Sequence, residues 1–171
     1  MFKKPKANIK SILILLLFLI CLKFTDNVFC YAAHTVEINS IDFIKKVKST
    51  KTRKIVVFFA SWCGHCRTLI TDISHWIDQS IKNKKNYNVE FFLFALDDNV
   101  NELHSFVNSF TNDNFNIYHS SNHLEISRIF YILRVGYRGS VPHVTIFDEK
   151  DELLFNDNAD MRIILRMINK A

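Results

Sequence analysis

The longest unbroken apolar run lies near the start of the chain. Ile12 to Leu22 is 11 apolar residues in a row, between a short basic segment and Lys23. From residue 35 onward the pattern breaks into shorter segments. Thr35 to Ile38 reads as a short strand. Ser40 suits an N-cap, with Ile41, Phe43, Ile44 and Val47 on one helical face. Ile55 to Ala60 is continuous, β-branched and aromatic, the pattern of a strand buried on both faces in a parallel sheet. Leu69, Ile70, Ile73, Trp76 and Ile77 then recur at helical spacing and predict a helix to about Ile81. Val89 to Leu96 is a second central strand, closed by Asp97-Asp98.

Val100, Leu103, Phe106, Val107 and Phe110 predict a helix over 100–110. The segment 111–123 is rich in Asn, Ser and His, with a short strand at Phe115 to Tyr118. A further amphipathic helix covers 124–134. Gly136 and Gly139 break the pattern ahead of Ser140-Val141-Pro142. His143–Phe147 and Leu153–Phe155 form a hairpin, and 159–170 a closing helix. Alternating strands and helices imply an α/β fold with crossover connections, its central mixed sheet flanked by helices. The stretch 99–123 reads as a helical insertion. No linker divides residues 33–171, so they form one domain after an amino-terminal segment of residues 1–32.

Composition narrows the class. The chain has 171 residues, 49% apolar and 23% charged, which is globular composition. Its net charge is +5, but five lysines and only Asp26 lie in residues 1–32. Residues 33–171 keep 17 basic and 16 acidic residues and give no support for nucleic-acid binding. The basic start, the apolar run and Cys30-Tyr31-Ala32-Ala33 have the form of a secretory signal, cut after Ala32. The run is short for a spanning helix, which needs about 20 residues. An uncleaved anchor is the second reading, and only then is the membrane a partner. Lipid attachment at Cys21 or Cys30 would want a small preceding residue, where Ile20 and Phe29 stand. On either reading the domain leaves the cytosol.

Loss of the signal leaves Cys63 and Cys66. Two cysteines so close are no disulfide framework; they are a local redox or metal pair. Cys63 falls at a helix N-terminus, where free N–H groups and the dipole favour a thiolate. Cys66, one turn on, can attack a mixed disulfide at Cys63. A zinc site wants four ligands, and no second C-x-x-C exists. The alternative of another class is an exported copper-binding protein or metallochaperone, with Cys63, Cys66 and His143 as a soft copper(I) site. Of the other histidines, His34, His75, His104, His119 and His123 show no ligand spacing and read as surface residues. Asp97 and Asp98 suit a loop or helix start.

Phe58-Phe-Ala-Ser-Trp-Cys-Gly-His-Cys-Arg67 resembles the active-site segment of the thioredoxin superfamily, with a core of the protein disulfide isomerase type. The similarity covers about residues 35–170, and the insertion resembles the bacterial TlpA/ResA branch. The resemblance implies a thiol–disulfide oxidoreductase that exchanges disulfides with protein substrates and needs no dissociable cofactor or metal. A separate redox partner would reset the pair. Cys63 is then the nucleophile and Cys66 the resolving thiol. Trp62 shields the pair, and Pro142 is cis and packs against it, leaving the Val141 backbone to pair with an extended substrate. His65, between the cysteines, stabilises the reduced form and biases the potential upward. Many members carry an acid six residues before the first cysteine, where this chain has Val57. Arg67 is either an electrostatic neighbour of Cys66 or a solvated helix residue. The compartment implied is a bacterial periplasm, with the eukaryotic secretory lumen second. Asn169-Lys170-Ala171 lacks the usual lumenal retention tetrapeptide.

Overall fold

The computed structural model describes residues 35–85, 87–109 and 116–169; the expected signal segment lies outside these residues. The elements are β1 (Thr35–Glu37), α1 (Ser40–Ser49), β2 (Arg53–Phe59), α2 (Gly64–Lys82), β3 (Val89–Ala95) and α3 (Val100–Val107). They continue with β4 (Ile117–His119), α4 (His123–Leu133), β5 (His143–Phe147), β6 (Leu153–Asp157) and α5 (Met161–Ile168). The sheet order is β1-β4-β3-β2-β5-β6. Neighbours from β1 to β2 are parallel, and β5 and β6 add antiparallel at the other edge.

β2 is buried along its whole length, the apolar run from Ile55 to Phe59 and the basic Arg53 and Lys54 before it alike. Its side chains alternate between two cores. Ile55, Val57 and Phe59 join Leu69, Ile70 and Ile73 of α2, Leu103 and Phe106 of α3, and Ile164 of α5. Val56 and Phe58 join Phe43 and Val47 of α1 and Ile129 and Phe130 of α4. Helices therefore cover both faces. The second core is aromatic: Phe43 meets Phe94 edge-on at 4.8 Å, and Phe58 meets Phe130 at 4.5 Å.

Within the stretch 99–123 the described residues hold one helix and one strand ahead of α4. Phe110 and Phe115, counted in the predicted helix and strand, lie outside the described residues. β4 enters the sheet between β1 and β3, so its three buried residues have ladder partners on both sides. The N-cap of α1 also differs from expectation. Asn39 holds it, its side chain accepting the Asp42 N–H at 2.9 Å. Ser40 is the first helical residue and donates its N–H and hydroxyl to Glu125 at 2.7 and 2.6 Å, tying α1 to α4.

Candidate active site

β2 delivers the chain from the middle of the sheet straight to the start of α2. The Cys63 N–H bonds the Ala60 carbonyl at 3.1 Å, which turns the chain, and Cys63 becomes the N-cap of α2. Its sulfur accepts the Cys66 N–H at 3.2 Å. The cap position normally held by an oxygen acceptor is thus held by a thiol sulfur. Both cysteines are free thiols. Cys63 keeps 9% of its surface and Cys66 none. Burial, and next the hydrogen bond with Cys63, push the Cys66 thiol up to about 12.

The segment before β5 approaches from the other side. The Val141–Pro142 peptide bond is cis. The Cys63 thiol lies 3.7 Å from the Val141 carbonyl, in reach of an S–H···O contact. Trp62 stands 68% exposed beside the pair. His65 is exposed on the first turn of α2. With Leu69, Val141, Pro142, Met161 and Ile163 it borders an open groove of about 360 Å³. Cys63, Cys66, His65, Trp62, Val141 and Pro142 therefore gather at one end of the sheet, within two short segments.

His143 does not join them. Strand alternation sends Val144 to the cysteine side and His143 to the opposite face. There its Nε2 meets Asn156 Oδ1 at 2.8 Å, and its ring lies 5.4 Å from that of Tyr137. The copper(I) site drawn through His143 is not assembled, and no group of three or more metal-ligating side chains occurs among the described residues. Arg67 is an exposed residue of α2, as the second reading has it, and makes two contacts besides. Its Nε donates to the Ser61 carbonyl at 2.6 Å, and its guanidinium lies over the Phe106 ring at 5.2 Å.

Two residues with the sequence signature of peripheral positions are in fact buried. His119 is 6% exposed on β4, where its environment lowers its pKa, chiefly by burial. Asp97 is 5% exposed at the end of β3. Both its oxygens accept the Ser61 N–H at 3.0 Å, and the Ser61 hydroxyl donates to it as well. The sequence signal for Asp97 is its place just past the apolar run from Val89 to Leu96; the pairing of that run with β2 comes only from the structure.

Comparison with known proteins agrees with this geometry. The thioredoxin family model matches residues 34–110. A mitochondrial thioredoxin domain-containing protein of Schizosaccharomyces pombe is 43% identical over 58 residues, which are 32% of this chain and 16% of that protein. The chain thus spans about a sixth of the curated relative it matches. Among solved structures, StoA of Bacillus subtilis superposes with a TM-score of 0.54 at 16% identity, covering 70% of this chain and 84% of StoA. A secreted disulfide oxidoreductase of Mycobacterium tuberculosis, homologous to DsbE of E. coli, gives 0.51 at 18% identity, covering 71% and 84%. The domain has a thioredoxin-like fold, and the match to the thioredoxin family model lies within it.

Proposed function

We propose that the protein is an exported thiol–disulfide oxidoreductase that exchanges disulfides with protein substrates through Cys63 and Cys66. The observation that carries the reading is the pairing of a partly accessible cap thiol with a fully buried one, one helical turn apart. The more accessible thiol, Cys63, attacks a substrate disulfide, and the fully buried Cys66 resolves the mixed disulfide. Trp62 gives apolar contact to the substrate, Pro142 packs against the pair, and the Val141 backbone receives an extended segment. The groove beside His65 supports that placement.

His65 tunes the potential toward the oxidising end. That direction leads away from the value of about −270 mV typical of thioredoxin and toward the value of about −180 mV typical of protein disulfide isomerase. Residues 1–32 act as a secretory signal or an anchor, and the compartment is a bacterial periplasm. Among the described residues no helix is long and apolar enough to cross a membrane. The strand-and-helix segment between β3 and α4 favours the TlpA/ResA branch.

Glutathione redox titration tests the reading. A two-electron couple is expected. A value above about −200 mV marks a donor or shuffler of disulfides, and one below about −250 mV marks a reductase. Absence of any couple between Cys63 and Cys66 removes the redox reading.

A further inference from the structure

Cys66 has a problem that its surroundings must solve. It is fully buried and must lose a proton before it can attack Cys63. Val57, on the strand leading to the pair, is apolar and offers no base. Among the described residues one carboxylate is buried, and it belongs to Asp97.

Sheet register places Asp97 beside the active-site turn. Phe59 is opposite Ala95, and the Leu96 N–H bonds the Phe59 carbonyl at 2.8 Å. The chain leaving β3 therefore runs alongside Ala60 and Ser61, just ahead of the cysteines. Ser61 is gripped on both sides, its N–H and hydroxyl by Asp97 and its carbonyl by Arg67. A neutral side chain could hold this grip equally well. An ionised carboxylate here lacks a cationic partner in direct contact, and burying it costs several kcal/mol unless it is well paired.

The titratable groups that interact electrostatically with Asp97 are Cys66 from α2, His119 from β4, Asp98, and Glu102 at the start of α3. Arg67 is committed to the Ser61 carbonyl and the Phe106 ring. Burial pushes the Asp97 carboxyl up, the Ser61 hydrogen bonds oppose this, and the neighbouring acids add to it. The Asp97 charge in turn disfavours the Cys66 thiolate. The Cys66 thiol bonds the backbone of Ala60 and the Asp97 carboxylate accepts the N–H of Ser61, so the two acids are held on consecutive residues of one turn, where a single negative charge is favoured and a proton leaving one is best received by the other.

We propose that Asp97 receives the proton that Cys66 loses when it resolves the mixed disulfide at Cys63. The proposal rests on the redox reading above. In the step, the Cys66 S–H proton passes to the Asp97 carboxylate, and the Cys66 sulfur attacks the Cys63 sulfur. The Cys63–Cys66 bond forms, the bond from Cys63 to the substrate sulfur breaks, and the substrate thiolate leaves with the electron pair. The protein dithiol is oxidised and the substrate disulfide reduced. The reverse reaction returns the proton to Cys66.

The test uses the purified full-length protein with Cys21→Ser and Cys30→Ser, reduced and mixed with one equivalent of dithionitrobenzoate in stopped flow. The first nitrothiolate release reports attack by Cys63 and the second reports resolution by Cys66. In the wild type the second rate is expected to be flat above the Asp97 titration, read by carboxyl-carbon NMR, and to fall only below it. In Asp97→Asn it should rise tenfold per pH unit throughout, like a reaction with hydroxide as base. It should be at least tenfold slower near pH 6, with the first release changed less than twofold. A wild-type second rate that climbs steadily through the Asp97 titration would overturn the proposal, and this arm needs no variant to fold. A variant with an equal or faster second release, or with both releases slowed alike, would overturn it too. Absence of a second release in the wild type would remove the redox reading along with it.

Discussion

The sharpest consequence of the geometry is that the two thiols, three residues apart, differ greatly in reactivity. With its pKa pushed up to about 12, Cys66 is a thiolate in about one molecule in 100,000 at pH 7. An ordinary thiol near about 8.5 is ionised in about 3 in 100. Ionisation alone thus slows Cys66 about 3,000-fold against a free cysteine, and its complete burial slows it further. Iodoacetamide at pH 7, followed by peptide mapping in a mass spectrometer, should label Cys63 in the native reduced protein and leave Cys66 untouched until guanidinium is added. The same shift has a stability signature. A thiol that stays protonated in the fold while its unfolded counterpart ionises favours the folded state fully below about pH 9. That contribution is lost as pH rises toward about 12. The unfolding free energy of the reduced protein should fall across that window, and that of Cys66→Ala should lack this component. Labelling of Cys66 within tenfold of Cys63 in the native state would refute the argument.

Other expectations follow from single contacts. Cys66→Ser should accumulate mixed disulfides with client proteins on non-reducing gels, and Cys63→Ser should accumulate none. His65→Pro should lower the reduction potential, and about 30 mV would mean a tenfold change in the exchange equilibrium; an unchanged potential would deny His65 the tuning role. Phe58→Ala empties a fully buried site beside Phe94 and Phe130 and should cost about 3–5 kcal/mol in urea unfolding. Lys54 is buried with its ammonium 2.5 Å from the half-exposed Asp151. Asp151→Asn, which tolerates the positive φ of 69° there, should cost about 1–3 kcal/mol by leaving that charge unpaired, measured in the same way.

What can be read from the sequence is local. A buried strand, a C-x-x-C and an amphipathic helix occupy consecutive residues, so their order alone puts Cys63 at a helix N-terminus. Val141-Pro142, just ahead of an apolar strand, is marked by the same kind of neighbourhood. Features that depend on which strands lie side by side are not legible. Nothing in Ile117-Tyr118-His119 says that it enters between β1 and β3, and without that placement His119 looks like one more polar residue of an Asn-rich stretch. His143 misleads for a different reason. Adjacency to Pro142 suggests nearness to the cysteines, but alternation along β5 gives that face to Val144.

Asp97 brings the two kinds of information together. Asp97 lies two residues past β3 and 36 residues after Ser61, and only the β2–β3 register brings the two together. The sequence contains the complementary clue in Val57, which stands where, by the resemblance, many superfamily members carry an acid. Cys66 lies on α2, and with Val57 of β2 apolar the proposed acceptor comes from just beyond the neighbouring strand. On this fold the adjacent parallel strand can supply it, because β2 and β3 end at the same level and both point toward the cysteine helix. A carboxylate just beyond β3 then meets the active-site turn without any change in the strand that carries the cysteines. On the proposed role of Asp97, resolution depends on strand register as well as on the four residues from Cys63 to Cys66. Substitutions that shift β3 against β2 should disturb resolution even where both thiols remain in place.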